Sequence, residues 1–536
     1  MKLTSGLLYL LATALGASGL VARPYFLRNA TCGLASNLTV QTSGGTVRGT
    51  VDPSTPCVRR FLGIPYAQPP VGDLRFAPPE PTKPFGALDA TRTPPSCPQT
   101  LVTRPPTIYT EIVPEYNLQG LKVPSQDVSE DCLTLSVWAP AGRNATGGGL
   151  PVIMFIYGGG FSMGGQDIPY YIPAKWVQRT QSHIMVTFNY RVGIFGFPNA
   201  AGLPFDKQNL GLLDQRLAVE WVRDNIAAFG GDPDRITLWG HSAGAVSAGF
   251  YQYAYPDDPI VEAIAMNSGS ETLPAAVWST ADTEHKNFST VAAGVGCGGL
   301  SLGEELACMR SDKATPQAVD DFIKQYNEDA FDQHFAKPIV IFTPIVDDKT
   351  AFGDYTALSK AGHIAKIPTI VGSAINDGVA FVPLSPTGVN ETLASGVTLA
   401  LFFCPAFKSA TDRLGAGVPV YRYLYAGNFT NVAPAPFLGA YHASELPLFF
   451  GTFDDFRGPG TAFERATSAA MQDAYLALAT GGVTGMEKNG WPLYASIATG
   501  QVREFGAEGL MSTGQVVNDI NAQKFEAICP QFDQPY

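Results

Sequence analysis

The chain contains 536 residues, and 45% of them are hydrophobic, so it is long and apolar enough to bury a large core. The formal net charge of −12 argues against a nucleic acid or an anionic membrane as a partner, because both require a basic face. The eight cysteines include no Cys-x-x-Cys pair, which argues against zinc and thioredoxin-type sites.

The N-terminal segment is typical of a secretory signal peptide. Met1-Lys2 is a short basic start, an apolar stretch follows at 7–12, and Ala17-Ser18-Gly19 offers small residues for cleavage. The apolar stretch is too short to span a bilayer, and no later stretch reaches about 18 continuous apolar residues. We therefore predict a signal peptide over residues 1–19, a secreted and extracellular product, and no integral membrane segment.

Glycosylation and disulfide signals agree with secretion. An even number of cysteines in a secreted chain indicates disulfides; spacing leaves their connectivity open, although Cys297 and Cys308 are close enough to close a small loop. Sequons mark expected surface loops that could carry glycan. The six sequons lie at Asn29, Asn37, Asn144, Asn287, Asn390 and Asn428.

Four apolar runs, each followed by a turn, predict buried strands. They lie at residues 150–157, 184–190, 235–239 and 367–371. Continuous apolar strands are expected where helices cover both faces of a sheet.

A helix is predicted between the second and third runs. Its apolar residues recur at helical spacing, and Gly230-Gly231 ends it. The predicted stripe consists of Leu213, Leu217, Trp221, Val222 and Ile226. Alternating strands and helices predict an α/β fold with a large, mostly parallel twisted sheet and helices on both faces.

Gly240-His241-Ser242-Ala243-Gly244 follows the third strand and precedes a run of small residues that predicts a helix start. A strand, a tight turn with serine at its apex and a helix form the context of a nucleophile elbow. The glycines leave room where strand and helix nearly touch. Ser242 is therefore the candidate nucleophile.

A serine nucleophile needs a base, and histidine suits this task near neutral pH. In this fold class the chain order is serine, acid, histidine, which favours His442, with His363 as the competitor. The other histidines fit less well: His183 is expected in the core, His241 beside the site, and His285 and His334 on the surface.

The acid is expected after the serine, at the end of a strand. Asp377 fits, because it lies in the turn that follows the fourth run. An aspartate on the far nitrogen of His442 would set its tautomer and stabilise the imidazolium. Asp347 and Asp348 are the alternatives, and Glu445 is interpreted as a supporting group.

An oxyanion hole requires backbone N–H groups aimed at the carbonyl oxygen. Gly158-Gly159-Gly160 follows the first strand, and its amides are unshielded by side chains. Gly159 and Gly160, together with the amide of Ala243, are the candidate donors.

Several segments together resemble the type-B carboxylesterase family of α/β hydrolases, which includes cholinesterases and secreted fungal lipases. They run in the family's order from about residue 40 to the C-terminus. Besides the elbow and 442–445, they are Glu130-Asp131-Cys132-Leu133, Tyr157-Gly158-Gly159-Gly160-Phe161, Asn189-Tyr190-Arg191-Val192-Gly193, Leu212-Leu213-Asp214-Gln215 and Phe229-Gly230-Gly231-Asp232-Pro233.

The resemblance implies the same roles for Ser242, Asp377, His442 and the oxyanion donors, and it matches Ser268 and Glu445 to supporting positions. It also implies structural ion pairs and disulfides. The ion pairs are Arg75–Glu130 and Arg191–Asp214; the disulfides are Cys97–Cys132, Cys297–Cys308 and Cys404–Cys529, which leaves Cys32 with Cys57.

Two departures stand out. Most relatives have glutamate where this chain has Asp377. The loop between Cys97 and Cys132 contains no tryptophan, whereas cholinesterases carry there the aromatic that stacks on choline, so choline esters are disfavoured. This loop is a lid in related lipases. Here its apolar residues would cover the site, grip an acyl chain or form a plain surface loop; they are Ile108, Tyr109, Ile112, Val113 and Tyr116.

We therefore predict a secreted serine hydrolase that cleaves small-molecule or lipid esters through an acyl-enzyme, with no metal or organic cofactor. Because residues 242, 377 and 442 must meet, residues 20–536 are expected to form one domain. An esterase is slightly favoured over a lipase, and the sequence carries no signal for oligomeric state. The alternatives are a catalytically silent adhesion-type relative and a lipid-binding carrier.

Overall fold

The computed structural model describes residues 37–100, 106–116, 128–142, 148–274, 282–333, 337–385, 387–507 and 515–531. These described residues cluster as one compact unit. Fourteen strands are assigned in the described part of the chain. They are β1 (Thr39–Thr42), β2 (Gly45–Arg48), β3 (Thr50–Asp52), β4 (Thr55–Pro65), β5 (Gly86–Asp89), β6 (Thr134–Pro140), β7 (Leu150–Ile156), β8 (Ile184–Phe188), β9 (Gly231–His241), β10 (Ala263–Asn267), β11 (Thr369–Ala374), β12 (Val420–Tyr425), β13 (Gln501–Phe505) and β14 (Val517–Asn521).

Eleven strands form one sheet in the order β14-β13-β12-β11-β10-β9-β7-β8-β6-β4-β3. The run from β13 to β8 is parallel throughout, and the pairs toward both edges are antiparallel. The mostly parallel sheet that the apolar runs predicted is therefore present within a mixed sheet. A separate three-stranded sheet, β1-β2-β5, lies outside the prediction.

The predicted strands agree with the structure to within a few residues. The largest difference is at β9, which begins at Gly231 rather than Arg235 and continues into the elbow. All residues of β7, β8 and β11 are buried, as expected for strands covered on both sides.

Helices connect and cover these strands. The α-helices of the described residues are α1 (Ile108–Glu111), α2 (Ala174–Thr180), α3 (Gly193–Gly196), α4 (Leu210–Asn225), α5 (Ala243–Ala254), α6 (Lys286–Gly294), α7 (Leu302–Met309), α8 (Pro316–Asp332), α9 (Tyr355–Lys360), α10 (Glu391–Val397), α11 (Cys404–Gly415), α12 (Leu446–Phe450), α13 (Ala462–Asn489) and α14 (Gln523–Glu526). Both α5 and α13 pack against the central strands β7, β9 and β10.

The buried face of α4 differs from the predicted stripe. Leu213 and Leu217 are only partly buried, whereas Asp214 and Gln215 are fully enclosed. The reason is the ion pair that Asp214 forms with Arg191, at 2.7 Å and with both side chains buried. A buried charge is tolerated only with such a partner, so the polar residues of α4 face inward.

Disulfides join distant parts of the chain. The described pairs are Cys97–Cys132, Cys297–Cys308 and Cys404–Cys529, the same pairs that the resemblance implies. The expected partner of Cys57, Cys32, lies outside the described residues. The second implied ion pair, Arg75–Glu130, is also present, with 2.6 Å between Nε and Oε1.

The sequons differ in accessibility. Asn37, Asn390 and Asn428 are exposed, whereas Asn287 lies in the first turn of α6 and donates its amide to the carbonyl of Ile341 at 3.0 Å. Asn29 and Asn144 lie outside the described residues.

One helical stretch of the described chain, Glu391–Gly415, is long and apolar enough to cross a membrane by length and composition alone. Half of its most apolar window is buried inside the protein. Core helices pass the same test, so this stretch does not indicate an integral membrane segment.

Candidate active site

Ser242 occupies a strained turn between β9 and α5. Its backbone lies at φ 55° and ψ −124°, a conformation that L-residues rarely adopt. The flanking glycines are required sterically: a Cβ at Gly240 would overlap the carbonyl of Gly244, and one at Gly244 would overlap the carbonyl of Ile156. The Ser242 amide donates to the carbonyl of Asn267 at 2.8 Å. The turn thus lifts the hydroxyl out of the backbone, as a nucleophile elbow does.

His442 and Asp377 lie side by side at the carboxyl edge of the sheet. Nδ1 of His442 is 2.8 Å from Oδ1 of Asp377, and both side chains are buried. Asp377 begins the turn after β11, and its Oδ2 accepts the amide of Ala374 at 2.9 Å. With the carboxylate ionised, Nδ1 donates its proton to Asp377, which leaves Nε2 as an acceptor.

Burial dominates the electrostatics of this pair. It lowers the pKa of His442 to about 3, so the imidazole is neutral near pH 7. Burial also raises the pKa of Asp377, and hydrogen bonds from the Ser268 hydroxyl and the Ala374 amide act in the opposite direction by favouring the carboxylate. Ser268 itself is buried and lies at φ 50°.

The glycine loop after β7 lies next to the elbow. A Cβ at Gly158 would come within 2.7 Å of Ser242 Cβ. Gly159 and Gly160 adopt φ values of +115° and +61°, and both are exposed. Ala243 begins α5, where the first amides have no partner within the helix. Exposed amides and a helix N-terminus favour negative charge beside Ser242.

Ser242 and His442 line one cavity of about 350 Å³ together with residues 158–160. Its walls are mostly apolar and aromatic, and Phe381 is half exposed at its edge. The side chains on these walls include Tyr109, Met163, Ile168, Tyr171 and Phe381. A mostly apolar pocket with a few convergent polar groups is typical of small-molecule sites.

Comparison with known proteins decides the family. The model of the carboxylesterase family matches residues 36–395, about two thirds of the chain. The chain belongs to the carboxylesterase family. The matched region includes Ser242 and Asp377, and His442 lies beyond it.

Three named proteins are similar to this member of the carboxylesterase family over most of its length and most of their own. Chlorogenic acid esterase of Aspergillus niger is 42% identical over 512 residues, which are 92% of this chain and 94% of the relative. Secreted lipase 5 of Gibberella zeae is 41% identical over 482 residues, 85% and 88% of the two chains. Acetylcholinesterase of Bungarus fasciatus is 30% identical over 519 residues, 87% and 82%. The chain is accordingly a carboxylic-ester hydrolase.

His241 and Glu445 form a second buried titratable pair next to His442 of the carboxylesterase triad candidates, and His241 also lines the cavity. The ring of His241 lies 4.6 Å from that of His442, and its Nε2 is 3.7 Å from Oε1 of Glu445. Burial, followed by the charge of Asp377, raises the pKa of Glu445 to about 8. Burial and neighbouring His442 lower the pKa of His241. Both groups therefore favour their neutral forms near neutral pH.

The remaining sequence candidates lie apart from the carboxylesterase site. His363 is exposed beside Phe352, and Asp348 is also exposed. Asp347 is buried, but it accepts amides of its own turn, including that of Thr350 at 2.7 Å. His183 is buried before β8, as expected. His285 is only partly exposed and bonds to Asn199, and His334 lies outside the described residues.

Sequence reasoning missed two phenylalanines at the site. It named Tyr109 and Tyr116 among the apolar residues of a loop that would cover the site, but it missed the contacts of their hydroxyls. Phe381 and Phe402 flank the His442 ring, with centroids 4.9 and 4.8 Å away. Tyr109 and Tyr116 hydrogen-bond to the backbone of the His442 loop. Phe381 lies in the turn that begins with Asp377, so its place at the sheet edge could have been expected. No local signal predicts the tyrosine contacts, because they join segments more than 300 positions apart.

Proposed function

We propose that the chain is a secreted esterase in which Ser242, His442 and Asp377 form the catalytic triad and small dissolved esters are the substrates. The observation that carries the proposal is the buried Asp377–His442 hydrogen bond beside a serine held in an elbow. A neutral serine is a poor nucleophile, and a base oriented by a third group is the recurring arrangement that activates it.

In the first half-reaction, the Ser242 oxygen bonds to the ester carbonyl carbon while Nε2 of His442 takes the hydroxyl proton. Asp377 keeps Nδ1 protonated and stabilises the imidazolium that forms. When the tetrahedral intermediate collapses, the carbon–alkoxy bond breaks and His442 returns the proton to the leaving alcohol. An acyl group remains on Ser242.

The carbonyl oxygen gains negative charge in that intermediate. The amides of Gly159, Gly160 and Ala243 are the proposed donors, since the first two are exposed next to Ser242 and the third begins a helix. Donors held in place before the reaction need no reorganisation, and each is typically worth about 10²–10³ in turnover.

In the second half-reaction, water takes the place of the alcohol. His442 accepts a proton from the water as its oxygen bonds to the acyl carbon, and the proton passes to Ser242 as the acid leaves. Besides the ester and water, these steps use only the chain's own groups.

The cavity supports small esters rather than large lipids. Its volume of about 350 Å³ lies near the lower end of ligand pockets, which run from about 300 to 1,000 Å³. Aromatic walls fit an aromatic or short acyl group, and one relative is named for cleaving chlorogenic acid. We therefore favour an esterase for dissolved esters over a lipase.

Secretion is part of the proposal. The relatives include a secreted lipase, and residues 1–19 have the pattern of a signal peptide. We expect the mature chain to begin near residue 20 and to fold as one domain.

The test is labelling and turnover of the purified enzyme and its Ser242→Ala variant. We expect a fluorophosphonate probe to label the wild type, a burst of p-nitrophenol from p-nitrophenyl acetate, and loss of both in the variant. A series of p-nitrophenyl esters with lengthening acyl chains measures substrate preference. An enzyme that stays unlabelled and gives no burst while folded would be a silent relative instead.

A further inference from the structure

The segment of residues 106–116, here called the strap, lies against the loop that carries His442. The hydroxyl of Tyr109 donates to the backbone carbonyl of His442 at 2.7 Å. The hydroxyl of Tyr116 donates to the carbonyl of the next residue, Ala443, at 3.1 Å. Two consecutive carbonyls are thus held by two side chains from a segment more than 300 positions away.

The loop that these hydroxyls contact adopts a costly conformation. Ala443 lies at φ +76°, in the left-handed region that a residue with a Cβ rarely adopts. Such a conformation persists only where its surroundings hold it. The Leu446 amide donates to the carbonyl of Ala443, and the Asn376 amide donates to the carbonyl of Ala440 at the start of the loop. The strap adds the two tyrosine hydroxyls, which contact the carbonyls of residues 442 and 443.

The strap is itself fixed to the protein. Arg457 contacts the Glu115 carboxylate at 2.7 Å and the carbonyl of Ile112 at 3.2 Å. Ile108 and Val113 are buried in the main core. Because these contacts fix the strap without involving His442, the strap can restrain the loop that carries His442.

Aromatic packing joins the strap to the same loop. The ring of Tyr116 lies 4.6 Å from that of Tyr170 and 6.0 Å from that of Tyr441, the residue before His442. Tyr109 packs edge-on against Tyr116 at 5.8 Å. These contacts restrict the tyrosine rings and therefore direct their hydroxyls toward the two carbonyls.

We propose that Tyr109 and Tyr116 are positioning residues. They hold the backbone of His442 so that its imidazole stays correctly placed relative to Ser242 and Asp377. The inference rests on the proposed triad. Asp377 orients the His442 ring at Nδ1, and the two tyrosines orient the backbone from which that ring projects. Proton transfer depends on sub-ångström placement of the base, so loosening its backbone reduces turnover more than binding.

The test uses Tyr109→Phe, Tyr116→Phe and the double variant, which keep the rings and remove only the hydroxyls. The matched control is Tyr494→Phe, because the Tyr494 hydroxyl also makes a buried hydrogen bond, to Glu526 at 2.8 Å, at a different place in the fold. Kinetics with p-nitrophenyl acetate, burst amplitude and melting temperature are measured for all four variants and the wild type.

We expect kcat to fall about threefold to tenfold in each single variant and further in the double variant, as loss of one hydrogen bond of about 1 kcal/mol implies. KM should change less than about twofold. The burst amplitude should still correspond to one p-nitrophenol released per enzyme molecule. The control should lose stability and keep the wild-type kcat.

An unchanged kcat in the double variant, with a melting temperature lowered as in the control, would show that the hydroxyls only stabilise the fold. A rise in KM alone would make the tyrosines substrate contacts. Either result overturns the inference while the wild-type burst leaves the triad standing. A wild type without a burst or probe labelling overturns the triad and this inference together.

Discussion

Nδ1 of His442 lies 2.8 Å from Oδ1 of Asp377, although 65 positions separate the two residues in the chain. The family resemblance of the sequence leads us to expect glutamate at the acid position. Here the shorter aspartate reaches the imidazole because it begins a turn immediately after β11 and is fully buried there. The contact favours Asp377 as the acid over the competing aspartates of the preceding loop.

Replacing Asp377 with asparagine should reduce kcat by about 10⁴ with little change in folding. The amide keeps the shape of the side chain but neither stabilises the imidazolium nor fixes the required tautomer. Steady-state kinetics with p-nitrophenyl acetate and circular dichroism provide the measurement. Asp348→Asn, at an exposed position, is the matched control and should behave as wild type. Near-normal turnover in the Asp377 variant would assign the acid role elsewhere.

The two glycines of the oxyanion loop should respond differently to alanine. The backbone φ of Gly159 is +115°, which is strained for alanine, and a Cβ at this position would overlap the carbonyl of Met163. In Gly159→Ala the loop must therefore move, and its amides move with it. We expect kcat to fall by about 10² or more.

Gly160→Ala is the companion variant. Its φ is +61° and its Cβ would meet nothing within 4 Å, so the cost is limited to backbone strain of roughly 1–2 kcal/mol. We expect kcat to stay within about tenfold of the wild type. Equal losses in both variants would contradict a specific role for the conformation at Gly159.

Glu445→Gln should change how stability depends on pH. Burial raises the pKa of Glu445 from 4.5 to about 8, so the folded state retains a proton that the unfolded state releases. The contribution of this bound proton to the free energy of unfolding is complete below pH 4.5 and is lost as the pH rises through about 8. Replacing the Glu445 carboxyl with an amide should therefore favour the stability of the folded state most at high pH.

We expect the melting temperature of Glu445→Gln, relative to wild type, to rise by a few degrees between pH 5 and pH 9. Scanning calorimetry at several pH values measures it. Glu262→Gln, at an exposed position, is the control and should show no such trend. A constant difference across this range would mean that Glu445 is ionised in the folded enzyme at neutral pH.

Activity should saturate smoothly as an ester approaches and passes its solubility limit. The strap of residues 106–116 lines the cavity and is held by Arg457 and by two tyrosine hydroxyls, so we expect it to stay in place during turnover. Hydrolysis of tributyrin followed across its solubility limit is the measurement. An abrupt rise in rate once droplets form would instead indicate a lid that opens at an interface.

Much of the site was predictable from sequence because its parts are local. The elbow needs small residues at 240 and 244, and a glycine loop after a strand leaves amides exposed; such steric demands act over a few residues and are visible in a motif. The continuous apolar runs likewise predicted the central parallel strands. Steric and periodic constraints of this kind determined Ser242, Gly159 and Gly160 as candidates.

Tertiary structure alone decided which distant groups meet. The sequence left Asp347 and Asp348 open beside Asp377, and only the packing of the turn after β11 brings a carboxylate to His442. The same holds for the tyrosines of the strap and for Asp214, which faces inward because Arg191 lies there. Contacts between segments depend on how whole layers pack, and no local pattern records that arrangement.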